Sequence, residues 1–130
     1  MAIKLTITNP KTKASVSVSL NASEAEQPIE FRNTAMADVP NMDSAIVQAY
    51  PFVTYRAIES ACVSGVIYAR RKLGLSGLKI ELLSYSFTGA VENAEPFAIA
   101  VMMGGCQALL KPVQFSSNEM NGWQEVAATC

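Results

Sequence analysis

Apolar and polar residues alternate through the first twenty positions. Ile3, Leu5 and Ile7 fall on one side of an extended chain and Lys4, Thr6 and Thr8 on the other. The turn-forming run Asn9-Pro10-Lys11-Thr12-Lys13 interrupts this, and alternation resumes with Ala14, Val16, Val18 and Leu20 between serines. The pattern predicts an antiparallel β-hairpin over 1–20 with one buried face and one wet, hydroxyl-rich face. Ile29-Glu30-Phe31-Arg32 is a candidate third strand, and 33–44 reads as a long connection.

The period then changes. Val53, Ala57, Ile58, Ala61, Cys62, Gly65 and Val66 recur at three- and four-residue spacing. This predicts a helix over 51–73, with Pro51 in its first turn, Arg70-Arg71-Lys72 in its last and Gly74 as its stop. A strand over 78–88 follows. Leu78, Ile80 and Leu82 alternate, then the phase slips to Leu83, Tyr85 and Phe87. Such a slip predicts a β-bulge or bend near 82–83. A second helix over 94–110 is expected, capped by Asn93, with Glu95 and Pro96 in its first turn. It is apolar around nearly its whole circumference, so it must be buried on several sides, by its own fold or by another subunit. Gly104-Gly105 would cost it up to about 2 kcal/mol of helix propensity unless close packing offsets the loss. The tail from Gln114 is either an edge strand or loose, with Trp123 as its anchor.

Composition narrows the chemistry. The 130 residues suit one domain, half of them are hydrophobic, and the net charge is −1. No global charge therefore draws the chain to nucleic acid or membrane. Locally the charge is uneven. Residues 21–50 hold five carboxylates against Arg32, while 56–79 hold five cations against Glu59. The absence of histidine removes the commonest general base and zinc ligand. Cys62, Cys106 and Cys130 form no CxxC pair and are odd in number, which argues against a zinc site or disulfide framework. Reduced thiols and a cytoplasmic location are the expectation. The longest nearly apolar run, Phe97 to Leu110, is too short to span a bilayer.

No constellation predicts catalysis, a cofactor or a metal. Cys106 lies in an apolar helix without a base, so it reads as a core thiol rather than a nucleophile. Gly74-Leu75-Ser76-Gly77 follows a helix instead of opening one, unlike a phosphate loop. The candidate partner-binding residues are Arg70, Arg71, Lys72 and Lys79. The first three also suit a solvated helix end that compensates the dipole. Tyr55, Tyr68 and Tyr85 are the polar handles available to a small-molecule pocket between subunits.

Several short segments share a family pattern. Tyr50-Pro51 stands at the first helix start, Ala57-Ile58-Glu59 in its core and Gly74 in the turn. Leu78-Lys79-Ile80-Glu81-Leu82 forms the strand, and Val91-Glu92-Asn93-Ala94-Glu95 opens the second helix. Phe31-Arg32-Asn33 upstream and Leu109-Leu110-Lys111-Pro112 downstream fit the same pattern. The stretch 50–100 thus resembles the fourth domain of translation elongation factor G. The resemblance implies a two-layer α/β sandwich with a left-handed β-α-β crossover, and suggests a ribosome or RNA as partner. It does not carry translocation, because the family's glycine- and histidine-bearing tip loop has no counterpart in Asn9 to Lys13.

Together these readings predict an α+β two-layer domain: about four strands with two helices packed on one face. The expected function is a non-catalytic interaction module that self-associates, motivated by the all-round apolar helix and the oppositely charged segments. The alternatives are a ribosome- or RNA-associated accessory protein and a small-molecule binder or enzyme with an inter-subunit pocket.

Overall fold

The computed structural model describes residues 2–35, 55–89, 91–111 and 113–129. The chain runs β1 (Ala2–Asn9), β2 (Ala14–Glu24), β3 (Ile29–Asn33), α1 (Tyr55–Leu73), β4 (Leu78–Thr88), α2 (Glu95–Ala108), α3 (Ser117–Met120) and β5 (Gln124–Thr129). The strands form one mixed sheet in the order β3-β4-β2-β1-β5. All neighbours are antiparallel except β3 and β4, which are parallel and joined through α1. The fold is the expected α+β sandwich with α1 and α2 on one face of the sheet. It differs in having five strands rather than four, because the tail supplies β5, and in carrying the short third helix α3.

The first hairpin forms for the reasons legible in its sequence. Asn9 Oδ1 accepts the Lys11 N–H at 3.0 Å, and Lys13 closes the turn at φ 59°. Ile3, Leu5, Ile7, Ala14, Val16, Val18 and Leu20 are all buried beneath the helices. β2 continues past residue 20 to Glu24 because β4 offers it partners throughout, from Ser15↔Thr88 to Glu24↔Leu78. The phase slip in β4 is a bulge. Ser19 pairs with Ser84 and Leu20 with Leu82, leaving Leu83 as the extra residue. That single residue lets Leu78, Ile80, Leu82 and then Tyr85 all reach the core.

α1 ends in a Schellman arrangement. Gly74, at φ 64°, donates to Arg71 O, and Leu75 donates to Arg70 O, both at 3.2 Å. The expected start of this helix at Pro51, and most of the 33–44 connection, lie outside the described residues. α2 is slightly shorter than 94–110, ending at Ala108. Its cap position is Ala94 rather than Asn93. Asn93 Oδ1 instead accepts the Glu95 N–H at 2.9 Å from one residue further out.

The apolar circumference of α2 is buried within the chain itself. Every residue from Pro96 to Cys106 is buried. Gly104 lies on Leu20, and Gly105 lies on Ile80 and Ala69. A side-chain carbon at Gly65 of α1 would stand 2.6 Å from Ala98 O, so the two helices touch backbone to backbone. Close approach to sheet and helix is what offsets the propensity cost of the two glycines. Of the two ways to bury this helix, the chain uses its own fold.

Candidate functional site

The four basic residues singled out in the sequence do not gather on one surface. Lys79 alternates with the buried Leu78 and Ile80, so it projects from the sheet face opposite the helices. There its ammonium lies 3.9 Å from Glu30. Lys72, at the end of α1, bonds Glu119 at 2.8 Å and sits 5.7 Å above the Phe115 ring. The Lys72 ammonium and the Ser116 N–H bonds hold the Glu119 carboxyl below the usual carboxylate range. Arg71 is exposed, and Arg70 is partly buried. Lys72 and Lys79 are thus each engaged with a carboxylate of the same chain.

The thiols are core groups. Cys62 and Cys106 are buried between α1, α2 and the sheet. Burial, with Glu59 adding to it, pushes the Cys62 thiol up to about 12. Burial likewise pushes Cys106 up to about 11, although Lys72 opposes the rise. A thiol with so high a pKa stays protonated and is a poor nucleophile. Neither is therefore expected to react with an aromatic disulfide reagent at pH 8 in the folded chain, and both are expected to react in denaturant. Fast native labelling of a variant carrying Cys130→Ser would contradict this.

One groove opens between α1, α2 and α3, with a volume of about 460 Å³. Its floor is apolar, from Ala61, Ala98, Ile99 and Met102, and Ser64, Tyr68, Glu95 and Glu119 stand at its rim. The size suits a small ligand. The rim carboxylates are already committed: Glu95 accepts from Asn121 Nδ2 at 2.9 Å, and Glu119 is held by Lys72. No lining residue is a cysteine or a cation that could activate the Ser64 or Tyr68 hydroxyl. Tyr85, the other described candidate handle, is a core residue stacked edge-on against Phe97. The Tyr55 side chain lies outside the described residues. Among the described residues no cluster of carboxylates or thiols could hold a metal ion. No helix among them is long and apolar enough to cross a membrane.

The sheet edges are the remaining candidate. Among the described residues β5 pairs with β1 alone, and all six of its residues are exposed. Its ladder is broken between Thr6 and Ile7, where Val126 is passed over. Bulges of this kind twist an edge away from further pairing. β3, at the other edge, pairs with β4 in unbroken register from Ile29↔Leu78 to Asn33↔Leu82. Its wet face carries one charge of each sign, Glu30 beside Lys79 and Arg32 beside Glu81 (4.0 Å). Neither the hydropathy pattern nor the charge count marks β3 as an edge, because edge position depends on which strands it pairs with. Comparisons with protein-family models, with curated proteins and with solved structures give no match to this chain.

Proposed function

We propose that the chain is a non-catalytic assembly module that associates with copies of itself. The observation that carries this reading is the β3 edge: a regular strand with a neighbour on one side only among the described residues, bearing both a carboxylate and a guanidinium on its wet face. Unpaired strand edges are templates for pairing with another chain, and homo-oligomers most often close by two-fold symmetry. The chemistry of the interior supports the non-catalytic part. Both described thiols are buried, and the two carboxylates that line the groove beside its hydroxyls are already bonded, Glu95 to Asn121 and Glu119 to Lys72.

The measurement is the solution mass by light scattering across a range of protein concentration, at low and high salt. A mass rising from 13.9 kDa to twice that value is expected. The midpoint should move to higher protein concentration as salt is added, since the charges at this edge are exposed. A mass of 13.9 kDa at every concentration and salt would overturn the proposal.

A further inference from the structure

We infer that Asn121-Gly122 is a site of spontaneous covalent modification. Its side-chain amide is lost to water at a rate the fold holds down, and the carboxylate formed loosens the attachment of β5. This goes beyond the assembly reading and does not depend on it.

The sequence sets the chemistry. The backbone nitrogen after an asparagine can attack the side-chain amide before it, and it does so best where the following residue has an N–H and no side chain. Of the seven asparagines, Asn121 alone precedes glycine, and Asn9 precedes a proline, which has no N–H. Hydroxide removes the Gly122 amide proton. The nitrogen then bonds to Asn121 Cγ, the Cγ–Nδ2 bond breaks, and Nδ2 leaves as ammonia. Water opens the succinimide that results. Attack at Cγ gives aspartate. Attack at the Asn121 main-chain carbonyl gives isoaspartate, with the backbone rerouted through Cγ. Water is the sole co-reactant.

The structure leaves these atoms reachable but holds them apart. Asn121 and Gly122 are both exposed. The amides on either side of Gly122 are bonded, Asn121 N–H to Ser117 O and Trp123 N–H to Met120 O, both at 2.9 Å. Among the described residues no backbone carbonyl accepts the Gly122 N–H. Asn121, however, is left-handed, at φ 46° and ψ 47°. That ψ sets its Cβ nearly trans to the Gly122 nitrogen, whereas ring closure needs the two on the same side. Asn121 Nδ2 also donates to Glu95 Oε1 at 2.9 Å, and the next side chain, Trp123, is buried. Closure therefore waits for a local opening of this turn.

The product cannot restore the native contact. An ionised carboxylate has no proton to give Glu95 and repels it instead. Isoaspartate also lengthens the backbone between α3 and Trp123. β5 begins just beyond, at Gln124, and is held by β1 alone among the described residues. None of its own residues is buried, so its position depends on the junction that precedes it.

The test is to incubate the full chain in mildly alkaline buffer, folded and in denaturant, and to follow charge variants by ion exchange and tandem mass spectrometry. A carboxylate at position 121 is expected in both samples, forming roughly tenfold more slowly in the folded chain because the turn must open first. Glu95→Ala should speed the folded-state reaction roughly threefold, as fits the loss of one hydrogen bond. Glu95→Gln keeps an accepting oxygen and should leave the rate near that of the original chain. As a second measurement, Asn121→Asp reproduces the aspartate product directly. It should raise amide hydrogen exchange across 124–129 several-fold, and adding Glu95→Gln should recover part of the protection. Equal rates in the folded and denatured samples, or no carboxylate at 121 in the folded chain, would overturn the gated site. Unchanged exchange of β5 in Asn121→Asp would overturn the loosening.

Discussion

Truncating Phe97 to alanine is expected to lower the unfolding free energy by about 4 kcal/mol, within the range seen when a buried phenylalanine is removed from a packed core. Phe97 is fully buried in the first turn of α2. Its ring meets Tyr85 and Phe87 edge-to-face, at centroid distances of 5.7 and 5.9 Å and interplanar angles of 87° and 89°. Both partners come from the part of β4 beyond the bulge. The single side chain therefore ties the helix start to the shifted half of the strand. Removing it loses the transfer energy of the ring and two aromatic contacts worth about 0.5–1.5 kcal/mol each. It also leaves a cavity between a helix and a sheet that cannot readily close together. Urea unfolding followed by circular dichroism would measure the change. A loss below about 1.5 kcal/mol would mean that the site collapses onto the gap.

Gly77→Ala is expected to cost about 3 kcal/mol, the upper end of what overpacking does. The connection from β2 to β3 must pass around the start of β4, which lies between them in the sheet. It does so directly over Gly77. Ala25 N–H donates to Gly77 O at 3.2 Å, and a side-chain carbon on Gly77 would collide with the carbonyl oxygens of both Ala25 and Gln27. These are backbone atoms held by two strands and cannot swing aside as a flexible side chain would. Gly74 provides the control. It sits three residues earlier at φ 64° with open space around it, so alanine there meets only the left-handed backbone penalty of about 1 kcal/mol. Equal losses at the two sites would show that the 25–28 connection gives way more easily than its hydrogen bonds suggest.

Much of the fold was legible because its signals are local. The hairpin, the bulge near 82–83 and the stop at Gly74 each follow from side-chain period or backbone freedom within a few residues. The cap of α2 was placed one residue too early for the same local reason. Asn93 does bond the Glu95 N–H, but as a turn outside the helix rather than from its cap position. The strand β5 was only half legible. Gln124-Glu125-Val126-Ala127-Ala128-Thr129 has no alternation to read, and both its faces are exposed. It is a strand because β1 offers it a ladder, which no property of the segment announces.

The candidate site was the least legible part. The basic residues were grouped because they are close in sequence. Arg70 to Lys72 end a helix on one side of the sheet, while Lys79 points from the other side. The acidic and basic segments were read as opposite poles that could meet between copies. The parallel pairing of β3 with β4 sets Glu30 beside Lys79 and Arg32 beside Glu81 within one chain, neighbours that the order of residues along the chain does not reveal.

By itself, the sequence determined the first four strands and the two long helices, the faces they bury and the absence of histidine chemistry, since period, turn residues and residue types act over short range. Tertiary structure alone decided which strands became edges, what covers α2 and which charges meet. Those outcomes depend on pairings between residues far apart in the chain. Leu20 pairs with Leu82, Gly65 lies against Ala98, and β3 joins β4 with α1 between them in the chain. Each is set by the packing of the whole core rather than by the segment in which the residue lies.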